Sequence, residues 1–420
     1  MTGVRPTVTP GPPPAIDRRD ERLRAGTGLR GALSTAVDRL RSGDLGVLPV
    51  VAGLVVIWTV FQILNPVFLS PANLVNLTME SVAVGTIALG VVCVLLVGQI
   101  DLSVGSVSGL AAAITAVAFV GQGWPLAVAV ATAVLAGSVV GGVYALMVTR
   151  LGVPSFVATL AGLLAILGLQ LWLLGAQGAI NLPFTSPLVF YAQLAFVPEW
   201  LSYVLVAVTA GGLFASRHGH ARRRAAAGLS ARSTTGLLAE SGTLLLGLLA
   251  LVWYLNLGRG LGWMFVVFVA MVVGLNHLLR RTAWGRAVYA VGGNAEAARR
   301  AGIRVNSVLV SAFVLCSSLA ALGGVLAAAR LAAANQSTGT GDVNLNAIAA
   351  AVIGGTSLFG GRGSAFAALL GVIVIQSISS GLTLLNLDSS FRFMVTGLVL
   401  ALAVALDSVA RRSRASHGRA

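Results

Sequence analysis

The stretch from 77 to 98 reads LTMESVAVGTIALGVVCVLLVG, and the next nine residues, 99 to 107, read QIDLSVGSV. A run of about 20 predominantly apolar residues is what a hydrocarbon layer ~30 Å thick selects, because a helix satisfies its own backbone hydrogen bonds there. The polar break that follows leads at once into a second apolar run at 102 to 121. Comparable runs recur at 46 to 64, 125 to 149, 154 to 174, 198 to 215, 236 to 256, 261 to 279, 307 to 329, 346 to 359, 363 to 383 and 391 to 407. The expectation is an all-α, polytopic transmembrane helical bundle of about 10 to 12 spans. The segment 346 to 359 is short and runs into Gly354, Gly355, Gly360 and Gly361, which marks a half-helix or re-entrant element that protein must cover.

Composition agrees. The chain of 420 residues is 57% hydrophobic and 10% charged, with a mean hydropathy of +0.91; one soluble core does not need so much apolar surface. The net charge of +15 comes from 28 basic residues, all Arg. With no Lys there is no P-loop of the G-x-x-x-x-G-K-[ST] form, so ATP hydrolysis has to occur on another chain. The Arg sit in short clusters between apolar runs, which speaks for positive-inside bias and against nucleic acid. The clusters around 217 to 232, 280 to 304 and 411 to 419, with the tail at 1 to 45, fall on one side when the spans are counted in order, placing both termini in the cytoplasm. Residues 1 to 45 and 411 to 420 read as polar tails, 216 to 235 as an Arg-rich cytoplasmic insert and 280 to 306 as a cytoplasmic loop.

Enzymatic chemistry has little to draw on. The four histidines lie in or beside Arg-rich stretches, the acids are scattered, and Cys93 and Cys316 stand within apolar runs as packing residues. The chain calls for no metal or cofactor of its own. Asp101 stands out because ionisable groups at membrane depth are costly. Three readings of it stay open: an N-cap that starts the next helix, a proton relay, or part of a polar strip of Gln99, Asp101, Ser103 and Ser106 that lines a path. Gly105 with Gly109, and Gly137 with Gly141, have the spacing of close helix packing. The segment Gly354 to Ala365, with Thr356 and Ser357, loosely echoes 98 to 106 and hints at an internal repeat. On the cytoplasmic side, Asn294 reads as an N-cap, Glu296 lies in a first turn where the helix dipole favours an anion, Arg299 and Arg300 follow, and Gly302 is a stop. A short capped helix there is a docking element.

Four stretches carry a resemblance: Gly98 to Ser106, Val153 to Gly162, Tyr289 to Arg299 and Val352 to Leu358. In this order they resemble the permease family of ribose/xylose/galactose-type bacterial ABC sugar importers, over about 46 to 410, and the insert near 216 to 235 looks most like its xylose-type branch. Gln99 departs from the pattern, which commonly has an acid there. The resemblance implies a permease that pairs as two copies in the plasma membrane, with ATP and magnesium held by a cytoplasmic ABC ATPase. It also implies a sugar-binding protein on the opposite side, met by the polar loop 330 to 345. Carried onto this chain, it makes Arg286, Tyr289, Gly292, Gly293, Asn294, Glu296 and Arg299 the element that docks in the ATPase. Gln99, Asp101, Ser103, Ser106, Thr356 and Ser357 become the candidate path. The alternative is an ion-coupled secondary sugar transporter that uses Asp101.

Overall fold

The computed structural model describes residues 48–229 and 233–388, with a few positions between 390 and 401. The tails, Arg232 and most of the expected span at 391 to 407 lie outside the described residues. Fourteen helices run in chain order among the described residues: α1 Leu48–Leu64, α2 Pro71–Leu96, α3 Val104–Ala116, α4 Leu126–Arg150, α5 Ser155–Leu174, α6 Pro187–Gln193, α7 Glu199–Ala226, α8 Thr234–Asn256, α9 Trp263–Arg281, α10 Ala283–Gly293, α11 Ala295–Arg300, α12 Val305–Leu331, α13 Asp342–Ile353 and α14 Ala365–Leu384. A π turn, Val117–Gly121, extends α3. Nine of these helices, with that extension, are long and apolar enough to cross a bilayer, and two shorter apolar helices accompany them. This is a polytopic helical bundle of the expected kind.

Eleven of the expected spans appear as helices, most of them within a few residues of their limits. The largest shift is at α7, which runs eleven residues past its expected end, through the Arg-rich stretch to Ala226; α2 begins six residues early. Pro71 occupies its first turn and Ser70 Oγ accepts from the Asn73 N–H at 3.3 Å, a proline and cap arrangement that outweighs the polar Asn73 and Asn76. The short segment is α13, twelve residues or about 18 Å, too short for the ~30 Å core.

The helix α12 is the spine of the larger of two compact units, residues 45–199 and 252–420. It packs on α2, α3 and α4, and close approach needs small residues at each seam. A Cβ on Gly90 would meet the Cys316 carbonyl at 2.7 Å, and one on Gly137 the Ser317 carbonyl at 2.7 Å. Gly141 faces Phe313 in the same way, and the Ser138 and Ser318 hydroxyls meet at 2.7 Å. Gly137 and Gly141 thus form the packing stripe that their spacing suggests. The other unit includes most of α7 and α8, residues 200–251, where Arg217 and Glu240 pair at 2.6 Å.

One feature outside the all-α expectation is a two-stranded antiparallel ribbon, β1 Ala179–Asn181 with β2 Ala333–Asn335. It joins the loops that follow α5 and α12. Gln170 of α5 reinforces it, its amide donating to the Asn335 and Thr338 carbonyls at 3.1 and 2.9 Å.

Candidate coupling and translocation site

The first polar break is a stretch of non-helical backbone between α2 and α3. Its depth follows from α12: Asp101 touches Cys316, eleven residues from the start of that helix at Val305, so it sits about 16 Å in. Backbone at that depth has no water to turn to and must find partners in protein. It does. The Ile100 N–H donates to Ser155 Oγ at 3.3 Å and the Leu102 N–H to Thr159 Oγ1 at 3.1 Å, two hydroxyls one turn apart on α5. The Ser103 N–H donates to Asp101 Oδ1 at 2.8 Å, and the Leu102 carbonyl accepts from the Asn344 amide of α13.

Asp101 is 2% exposed. Its Oδ1 also accepts from the Ser103 hydroxyl at 2.7 Å, and its Oδ2 faces Cys316 Sγ at 3.9 Å. No salt bridge among the described residues includes it. The carboxyl therefore closes an Asx turn on Ser103, the residue that caps α3, rather than reaching the first helical N–H itself.

The second break, 354 to 364, is built differently. Ser357 N–H donates to the Arg362 carbonyl at 3.0 Å, Thr356 N–H to Ala351 at 3.0 Å and Phe359 N–H to Ser357 Oγ at 3.3 Å. Gly355, Gly360 and Gly361 hold φ of 104°, 85° and 73°, values that favour glycine because it lacks a Cβ. Thr356 and Ser357 are buried, at 1% and 8% exposure.

Between the two breaks lies α10. Thr282 caps it, accepting from the Gly285 N–H at 3.2 Å. Val288 and Val291 turn inward while Arg286 is exposed, and Trp284 Nε1 donates to Ser311 Oγ of α12 at 2.8 Å. Tyr289 Oη donates to the Gly363 carbonyl at 2.9 Å; burial pushes this phenol above its ordinary value of 10.0, so it remains a donor throughout the neutral range. At the end of α10, a Cβ on Gly292 would land on the Leu96 carbonyl, the same oxygen that accepts from the Gly361 N–H at 2.9 Å. Gly360 stands against Gly98 and the Gly292 carbonyl, and Gly361 against Gly293. Three backbones thus cross at glycines 98, 292, 293, 360 and 361.

Beyond this crossing, α11 is exposed. Asn294 Oδ1 accepts from the Ala297 N–H at 2.9 Å, the cap that the sequence suggests. Glu296 pairs with Arg299 at 2.8 Å and Arg300 at 3.2 Å, with only Ala298 buried in this helix.

The docking residues read from the sequence therefore divide. Gly292 and Tyr289 lock the inner face, while Arg286, Gly293, Asn294, Glu296 and Arg299 are exposed. The candidate path residues divide too: Asp101, Ser103, Ser106, Thr356 and Ser357 are buried in protein, and only Gln99 is partly open. Sequence reading noted Ser155 and Thr159 only within the resembling stretch 153 to 162, with no role, and passed over Asn344; these three hold the first break. Their signal was present, since 155 and 159 share one helix face at i, i+4 spacing, but a hydroxyl in an apolar helix gives no hint of its partner.

A family described as "Branched-chain amino acid transport system / permease component" matches residues 73–404. The "Xylose transport system permease protein XylH" of Escherichia coli (strain K12) is 32% identical over 374 residues, 89% of this chain and 94% of that protein. The protein of the same name from Haemophilus influenzae (strain ATCC 51907 / DSM 11121 / KW20 / Rd) is 32% identical over 88% of this chain and 98% of its own length. The "Ribose import permease protein RbsC" of Escherichia coli (strain K12) is 30% identical over 84% of this chain and 91% of its own. No solved structure matches the chain.

Proposed function

This chain belongs to the family of branched-chain amino acid transport system / permease components, and from that premise we propose that it is the membrane-spanning subunit of an ATP-driven importer for a monosaccharide, a pentose such as xylose. The sugar rests on the relatives named for xylose and ribose, which align over nearly their whole length. The subunit works with a separate ABC ATPase, a sugar-binding protein and a second copy of itself, with both termini in the cytoplasm.

The observation that carries the reading is the glycine crossing. An exposed element, α10 with α11, is fastened by its inner face to the ends of both helix breaks, at Leu96 and at Gly361 to Gly363. A push on that element moves the two breaks together, because interposed glycines leave no side chain to yield. Arg286, Gly293, Asn294, Glu296 and Arg299 offer the surface on which an ATPase acts; Tyr289 and Gly292 transmit the movement. Asp101, Ser103, Ser106, Thr356 and Ser357, buried here, are reached by solute only when the breaks separate, with Gln99 at their inner mouth.

The deciding experiment is sugar uptake into proteoliposomes that contain this chain with its ATPase and binding protein, ATP enclosed and the proton gradient collapsed. Uptake of labelled D-xylose or D-ribose that requires ATP, and falls at least tenfold in Gly292→Leu, is the expected result. Uptake by this chain alone, driven by a proton or sodium gradient and abolished by Asp101→Asn, would overturn it in favour of secondary transport.

A further inference from the structure

At the end of the bundle opposite α10, the helices α2, α12 and α14 enclose a cavity of about 420 Å³, within the ~300–1,000 Å³ of small-molecule sites. Its lining is mixed: Met79, Ala83, Ala327, Leu331 and Leu384 give apolar wall, and Asn73, Asn76 and Glu80 from α2, Arg330 from α12, and Gln376 and Ser379 from α14 give the polar groups. Glu80 is exposed, with its Oε2 accepting from Gln376 Nε2 at 2.6 Å, and Ser380 Oγ donates to Asn73 Oδ1 at 3.1 Å. Arg330 makes no ion pair among the described residues.

Depth gives this row its meaning. Glu80 is the tenth residue of α2, about 14 Å along the span, and Gln376 is the twelfth of α14, about 17 Å from its other end. A carboxylate exposed on the side of a membrane helix does not face lipid; it lines protein or water. Elsewhere the bundle shows what its lipid face looks like: Leu135 of α4 and Leu164 of α5 are 64% and 66% exposed and wholly apolar.

We propose that this cavity is the receiving site for the sugar, on the side of the membrane remote from α10, with Glu80, Gln376 and Arg330 as its hydroxyl-binding groups. The proposal rests on the importer reading above. Amide and hydroxyl side chains outnumber the charged ones, one acid and one base cancel, and each can bridge neighbouring hydroxyls. Among the described residues no aromatic ring lines the cavity, which leaves it without the stacking platform that would hold a sugar tightly. Weak holding suits a site that must release what it receives.

Two measurements test it. Cys93 and Cys316, the chain's two cysteines, are buried, so Ser379→Cys and Leu164→Cys can be compared directly with a membrane-impermeant maleimide in native membranes. Ser379→Cys should label at least tenfold faster than Leu164→Cys; equal rates would overturn the water-lined cavity. In the proteoliposomes above, Glu80→Leu should lower D-xylose and D-ribose uptake at least tenfold while Glu80→Gln, which keeps groups able to bind hydroxyls, retains most of it; a lipid-facing position would tolerate leucine and leave uptake unchanged, which would sink the proposal. Competition by L-leucine but by neither sugar would overturn the ligand class. Failure of the parent protein to import any sugar condemns the importer reading itself, and the maleimide rates then still decide whether the cavity holds water.

Discussion

The break at 97 to 103 and the break at 354 to 364 do the same job, ending one helix and starting another, by opposite means. The first borrows side chains: Ser155, Thr159, Asp101 and Asn344 between them serve the Ile100, Leu102 and Ser103 backbone. The second serves itself, through Ser357 and glycines at positive φ, with Tyr289 and Leu96 as its outside anchors. A break held by partners on α5 and α13 is sensitive to movement of those helices. One that holds its own shape moves as a block. What joins them is a single oxygen, the Leu96 carbonyl, which Gly361 binds and Gly292 abuts.

The contrast can be broken most severely at that shared point. Gly292→Leu forces a side chain onto the Leu96 carbonyl; overpacking of this kind typically costs about 1–3 kcal/mol, occasionally more, and should abolish ATP-coupled uptake while Gly168→Ala, where a Cβ meets open space, does not. Next in size is the first break alone. Asp101→Ala leaves the buried Ser103 N–H without its acceptor, a cost of about 1–3 kcal/mol, whereas Asp101→Asn keeps an acceptor and should retain most stability in thermal unfolding of the purified protein. Equal destabilisation by the two would show that charge, not the turn, is what Asp101 supplies. At the second break, Tyr289→Phe removes one hydrogen bond, about 0.5–1.5 kcal/mol, and should lower uptake per ATP hydrolysed more than it lowers melting temperature. Because burial raises this phenol, the tie is fully present below its ordinary value of 10.0 and weakens only as pH rises past it; parent and variant should keep a constant difference between pH 6 and 9. The smallest effect belongs to Glu296→Ala, whose exposed pairs with Arg299 and Arg300 are worth roughly 0.2–0.5 kcal/mol each. Its melting temperature should stay within error, so any loss of coupling in that variant reports on the docking surface.

Much of this arrangement was legible in the sequence, and the illegible part has a physical pattern. Span positions follow from hydropathy, which the bilayer imposes residue by residue. The Asn294 cap and the α11 helix follow from local rules, since their partners lie three or four residues away. The partnership of Ser155 and Thr159 with the first break could not be read so, because it joins positions 55 and 57 residues apart. The crossing of five glycines was equally hidden: each looks like an ordinary helix end until the three backbones are seen to touch. Glu80 was passed over for another reason. Embedded in the run at 77 to 98, it reads as one tolerated polar residue in a long span, and only its exposure on the face shared with α14 sets it apart from Asp101. The ribbon of β1 and β2 was hidden because each strand is only three residues long, too short to show an alternating pattern.

The unbroken course of α12 has a mechanical consequence. Its 27 residues make a rod about 40 Å long, bolted near one end to α10 through Ser311 and Trp284 and running at the other into the ribbon. A stiff helix gripped near its middle, where Cys316 meets Gly90 and Asp101, would turn like the beam of a balance: a tilt that swings one end out swings the other in. Spin labels placed beyond its two ends should move in opposite senses during transport. In such a beam, opening on one face and closing on the other are one motion, and the bundle needs no separate latch to keep both doors from standing open.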